Sequence, residues 1–278
     1  MPHQTHPHHD GDFASDLHHL LSRRRVLAGA GALALAGLAG LARPRGLSAQ
    51  TPATAADGTV CVAAPAETNG PFPADGTQSR DGTALNALTL AGIVRQDITT
   101  SFAGMTGTAG GLPMELTLDL VDVGAACAPL AGLAVYIWHC DAAGRYSLYE
   151  ETGQNYLRGM QISDGAGRVR FTSILPGTYR GRWPHVHFEV FGSADEAVGG
   201  TRARLTGQVA LPGATLRGHY LTDSRYAASL PNLDAQTLGG DMVFGDSSAA
   251  ELDAQMLKVT ADGPAGLGVH TQVGLAGA

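Results

Sequence analysis

Three short runs alternate apolar and polar residues with a period of two: "MELTLDLVD" (114–122), "RVRFTSI" (168–174) and "HVHFEVF" (185–191). That period belongs to strands, whose successive side chains point to opposite faces of a sheet. In the first run Met114, Leu116, Leu118 and Leu120 share a face. In the last, Val186, Phe188 and Val190 share one face, and His185, His187 and Glu189 the other. "LAVYIWH" (133–139) is β-branched and aromatic. "TGQVAL" (206–211), "DMVFG" (241–245), "AQMLKVTA" (254–261) and "GVHTQVGL" (268–275) are further strand candidates. The clusters "CDAAG", "SDGAG", "LPG", "GDSS" and "ADGPAG" read as the turns between them. The 38 glycines and 14 prolines disfavour long amphipathic helices. Many short strands with Gly-rich turns predict an all-β sandwich or barrel with long loops.

The N-terminus is of another kind. "SRRRVL" (22–27) opens a mild apolar run, Val26 to Ala42, followed by "LSA" before Gln50. A basic segment, an apolar segment and a small-residue cleavage site form an export signal, and the paired arginines resemble the twin-arginine type. Residues 1–49 are therefore read as a leader cleaved near Ala49, and residues 50–60, rich in Ala, Thr and Gly, as a flexible linker. Residues 61–278 then form a single domain, placed by export in the periplasm or outside the cell. Cleavage removes five arginines and three acidic residues, leaving 13 basic and 22 acidic residues and a net charge of −9. Such a surface argues against nucleic acid and anionic membranes as partners, and the mature chain is not expected to insert stably in a membrane. Six of the eleven histidines leave with the leader.

Three cysteines remain, Cys61, Cys127 and Cys140. Export permits a disulfide, and an odd count leaves one thiol over. Cys127 and Cys140 flank the strand 133–139, which holds them more than about 20 Å apart if straight. A disulfide needs Cα atoms within about 7 Å. Cys61 is thus expected to pair with Cys127 or with Cys140, the former favoured.

The chemistry concentrates in "LPGTYRGRWPHVHF" (175–188). His185 and His187 point to the same side of one strand, about 7 Å apart along the backbone, and can converge on one ion. Tyr179 follows a Pro-Gly turn, and upstream "YIWHCDAAGRYSLYE" runs a strand into a turn that presents Tyr146. Tyrosine is normally neutral; a trivalent cation nearby favours the phenolate. Two phenolates with two neutral imidazoles suit Fe(III) better than Fe(II) or Zn(II).

These segments, together with "NYLRGMQISDGAGRVRFTSILPGTYRGRWPHVHFEV" and "AETNGPFPADG", closely resemble the intradiol ring-cleavage dioxygenases over about residues 61–245. The resemblance implies a two-sheet β-sandwich of that family's type. It implies Fe(III) held by Tyr146, Tyr179, His185 and His187, and a catalytic role for Tyr179, Arg182 and the matching glutamine Gln208. It also implies a small aromatic diol and O2 as reactants, the ring being cut between its two hydroxylated carbons to a muconate-type diacid. In "TNGPF", Asn69 stands where the family commonly has Glu. The quaternary state is open to a homo-oligomer.

Other readings compete. Glu189 shares a face with both histidines, which invites a cupin-like Fe(II) site of two histidines and a carboxylate. That reading leaves both tyrosines idle, and Glu189 is expected at the rim or surface. A non-catalytic exported sandwich acting as a binding module is the other alternative. His139 is expected to support or pack, and Tyr136 and Trp138 to be core aromatics. Trp183 and Tyr149 are candidates for the substrate entrance, and Pro71, Phe72 and Arg158 for substrate contact.

Overall fold

The computed structural model describes residues 52–277. Thirteen strands dominate them: β1 (Ala53–Thr54), β2 (Val60–Cys61), β3 (Asp75–Arg80), β4 (Thr83–Asn86), β5 (Pro113–Asp122), β6 (Ala128–Pro129), β7 (Ala134–Trp138), β8 (Arg158–Ile162), β9 (Arg168–Ile174), β10 (His185–Phe191), β11 (Leu205–Ala210), β12 (Lys258–Gly263) and β13 (Gly266–Leu275). Four short α-helices join them: α1 (Ala194–Val198), α2 (Gly213–Thr222), α3 (Leu230–Ala235) and α4 (Ala249–Gln255). The three alternating runs are β5, β9 and β10, the last two with the bounds read from the sequence.

Two sheets carry the fold. One has the order β11-β10-β7-β8, antiparallel throughout. The other runs β12-β13-β5, with β9 and β6 both paired antiparallel to β5 and β13 parallel to it. Met114, Leu116, Leu118 and Leu120 of β5 are buried with Val169 and Phe171 of β9. They form one cluster with Val135, Ile137, Val186, Phe188, Val190 and Val209 of the other sheet. This is the sandwich core, built from one face of every alternating run.

The opposite face of the four-stranded sheet is also covered. Tyr136, Trp138 and Met160 there join a second cluster with Phe72, Tyr146 and Leu148, which come from long loops. β10 is therefore buried along its whole length. Its polar face lies in the interior, between sheet and loops.

Some expectations need correction. "DMVFG" is a turn, because the Asp241 side chain accepts the N–H groups of Val243 and Phe244 and curls the chain. "AQMLKVTA" is split, its first residues ending α4, whose N-terminus carries a capping box of Ser248 and Glu251. Part of the expected linker 50–60 is ordered, β1 pairing with β2 where Cys61 is joined to Cys127. Cys140 is the buried free thiol, so the favoured pairing is the one found. The leader, residues 1–49, lies outside the described residues. Among the described residues no helix is long and apolar enough to cross a membrane.

Candidate metal centre

The register of the four-stranded sheet brings His187 between Gln208 on β11 and Trp138 on β7. The indole of Trp138 stacks on the His187 ring, centroids 4.8 Å apart and planes 7° from parallel. His185, two residues earlier on the same face, aims its Nε2 at the Nε2 of His187, 3.0 Å away. The Nδ1 of His185 lies 2.5 Å from the Trp183 carbonyl oxygen. A carbonyl only accepts, so Nδ1 carries the proton and Nε2 keeps its lone pair.

Both tyrosines close on this pair from loops. The Tyr146 ring lies 5.8 Å from that of Tyr179 and 6.3 Å from that of His187, and Tyr179 lies 6.0 Å from His185. Tyr146 is set by a tight turn in which the Asp141 carboxylate accepts the N–H groups of Ala143 and Arg145. Gly144 in that turn has φ +87°, and a Cβ there would press on the Thr178 carbonyl beside Tyr179. Gly177 is required by close approach, since a Cβ would run into the Ala142 carbonyl oxygen and Ser229 Oγ. The two glycines let the Tyr146 turn and the Tyr179 turn pack backbone to backbone.

Arg182 completes the site. Its Nε donates to Asp241 (3.0 Å), one terminal nitrogen donates to Gln208 Oε1 (2.6 Å), and the other lies 3.5 Å from Tyr179 Oη. Gln208 is oriented by its own Nε2, which donates to the Thr68 carbonyl. The structure thus gathers Tyr146, Tyr179, Arg182, His185, His187 and Gln208 in one place, including the glutamine across the long stretch 192–204.

Burial keeps the imidazoles and the phenol here neutral, the form in which imidazole binds a metal, while the phenol would ionise only beside a cation. Burial, reinforced by Arg182, pushes the His185 imidazole down to about 3. Burial and the neighbouring His185 push His187 well below its ordinary value. Burial, with Tyr179 alongside, drives the Tyr146 phenol well above 10. The hydroxyl of Tyr146 and Nδ1 of His187 are buried without a hydrogen-bond partner of good geometry among the described residues. The orphaned phenol is costly unless something absent from the protein alone pairs with it, whereas an ion held between the two Nε2 atoms would not reach His187 Nδ1. Two imidazole Nε2 atoms 3.0 Å apart suit ligands bonded at about 2.0–2.1 Å to one ion once the proton between them is lost. The donor set fits a hard, highly charged metal.

Other residues are placed differently from expectation. Glu189 is buried at 4 % exposure and not at a rim, because loop residues cover the polar face of β10. Burial, and then Asp75, pushes its carboxyl up to about 8, and Thr206 donates to it. Among the described residues no three His, Cys, Asp or Glu side chains are arranged to hold a metal, so the Fe(II) alternative through Glu189 finds no support. Arg158 turns its donors to the protein itself. Its nitrogens donate to the carbonyls of Phe72, Pro73 and Ser147, to Ser147 Oγ and to Tyr136 Oη. Asn69 donates to Asp75 and Thr77 and so braces its own loop. Phe72 packs against both Tyr146 and Tyr149. His139 supports locally, bonded to the Cys140 carbonyl and to Ser173. Asp241 went unnoticed in the sequence; its one signal was that a buried arginine at 182 needs an anion.

A family model described as Dioxygenase matches residues 90–216, which hold all six gathered residues. The fold is a β-sandwich, and the matched stretch is similar to dioxygenases. The intradiol ring-cleavage dioxygenase of Tetranychus urticae superposes with a TM-score of 0.58 at 21 % identity, covering 78 % of this chain and 95 % of that one. The fold is therefore that of the intradiol ring-cleavage dioxygenases, the family the sequence resembles. In sequence, 52 residues are 38 % identical to the catechol 1,2-dioxygenase of Pseudomonas sp. (strain EST1001), spanning 18 % of this chain and 17 % of that enzyme.

Proposed function

We propose that this chain is an exported ferric dioxygenase that cleaves a catechol-type ring between its two hydroxylated carbons, using O2, to a muconate-type diacid. The observation that carries the reading is the convergence of two neutral imidazoles, 3.0 Å apart, with two phenols and a buried guanidinium. In this reading Tyr146, Tyr179, His185 and His187 hold the iron, which supplies Lewis acidity and a template for a diol. Arg182 places a fixed positive charge where an anionic ring develops negative charge, in a site that excludes water. Gln208 holds the guanidinium in that orientation. Tyr179, the half-buried member of the pair, is suited to give way to substrate and to take a hydroxyl proton on its Oη. Phe72 and Tyr149 wall the site on the loop side.

A non-catalytic binding module has no use for a buried, unpaired phenol beside two converging imidazoles. Export is supported by the order of residues 1–49 and by the Cys61–Cys127 disulfide, which persists in oxidising compartments. Oxygen uptake with a panel of catechols, with product identification, tests the reading, and the ferric protein should be red to burgundy. His185→Ala and His187→Ala should each lose most of the iron by metal analysis. Full iron in both would overturn the ligand assignment.

A further inference from the structure

Asp241 lies 59 residues beyond Arg182 and outside the stretch matched by the family model. Its side chain is fully buried, as is nearly all of Arg182. One carboxylate oxygen accepts both Arg182 Nε–H (3.0 Å) and the Trp183 N–H (2.6 Å). The other accepts the N–H groups of Val243 and Phe244. The guanidinium is thus fixed along two edges, by Asp241 at Nε and by Gln208 at one terminal nitrogen, with the remaining nitrogen turned to Tyr179. A planar fork held at two points cannot turn about its long axis. Holding the Trp183 N–H also steadies the residue whose carbonyl fixes the His185 tautomer.

We propose that Asp241 is a positioning residue for the ring-cleavage reaction, acting through Arg182: it locks the guanidinium against the site and balances its buried charge. The inference rests on the dioxygenase reading. The rival role is purely structural, a carboxylate that caps its own turn.

Asp241→Asn keeps the size and one carbonyl acceptor but removes the charge. With positioning, kcat falls roughly 10–100-fold, as for other supporting partners at metal sites, while KM and iron content stay close to wild type. In an Arg182→Gln background the same substitution should cost nothing further in kcat. Asp241→Glu should recover part of the loss, because the charge returns. A purely structural role predicts another pattern: a lowered melting temperature or iron content, and the same fractional loss of kcat in both backgrounds. That pattern, or unchanged kcat in Asp241→Asn, overturns the inference while wild-type turnover leaves the dioxygenase reading standing. A wild type that cleaves no catechol overturns the reading, and the inference with it.

Discussion

Arg158 offers the most direct test of how the loops are held over the sheet. It is 1 % exposed on β8 and donates five hydrogen bonds, four to loop groups and one to Tyr136 on β7, on the side of the candidate metal centre. Arg158→Met keeps the unbranched apolar stem and removes the donors. The Pro73 carbonyl retains the Tyr136 hydroxyl as a donor, and Ser147 Oγ still donates to the Tyr156 carbonyl. The carbonyls of Phe72 and Ser147 are left without the donors they have in the native protein. At about 1–3 kcal/mol for each buried unsatisfied group, the loss is about 2–6 kcal/mol. Against a typical total of about 5–15 kcal/mol, the variant should fold but with a large drop in its urea midpoint. Arg158→Lys, with three donors on a shorter reach, should recover only part of it. Because Ser147 adjoins Tyr146 and Phe72 packs on Tyr146, iron retention should fall along with stability. A loss below about 1 kcal/mol in Arg158→Met would refute the view that this guanidinium staples the loops.

The remaining predictions concern titration, the disulfide and the two phenols. Burial holds His139 down to about 4, against 6.5 when unfolded, so the unfolded chain binds the extra proton first as pH falls. Stability should decline from pH 6.5 to pH 4 by about 3 kcal/mol through this residue and be fully present above pH 6.5; parallel urea profiles for wild type and His139→Gln over that range would contradict this. The Cys61–Cys127 bond closes a span of 66 residues, and the chain-entropy relation gives about 4 kcal/mol for its removal. A Cys61→Ala, Cys127→Ala double variant should lose that much by denaturant titration, whereas Cys140→Ala should leave non-reducing peptide maps unchanged. Tyr179→Phe should keep some iron and some colour, bind catechols and turn over slowly, while Tyr146→Phe should change the spectrum of the catechol complex most; equal catechol-complex spectra for wild type and Tyr146→Phe would reject that division.

The sequence made the sheets legible because their information is local. Alternation in β5, β9 and β10 places Leu116, Phe171 and Val186 inward without reference to anything distant. The two histidines were legible for the same reason, since a strand fixes where i and i+2 point. Glu189 was misplaced by that very logic: alternation puts it opposite the core but does not reveal that loops bury that face as well. Arg158 and Asp241 were opaque because their partners lie far away, Phe72 86 residues before the one and Arg182 59 residues before the other. An isolated charge reads as surface until its partner is known. The helices were missed for lack of a continuous apolar stripe; α2 buries only Leu216 and Tyr220.

The same distant contacts bear on how Tyr179 can move. Gly177 and Gly181, two residues before and after it in the same turn, read from the sequence as room for its side chain to swing away. In the structure that turn is held from the C-terminal side. Tyr226 and Tyr220 donate their hydroxyls to the carbonyls of Leu175 and Pro176, and Ser229 Oγ accepts the Thr178 N–H. Asn232 and Gln236 donate to the carbonyls of Thr178 and Gly181. Gly177 is there for close packing, with Ser229 and Ala142 against its α-carbon. With the backbone fixed at five points, the displacement of Tyr179 that the proposed reaction calls for has to occur by rotation of its side chain. The small excursion required is compatible with Arg182 staying in place, because its Nε and one terminal nitrogen are bound to Asp241 and Gln208, neither of which belongs to the turn. In the proposed reaction, the fold separates the group that yields to substrate from the charge that must not move.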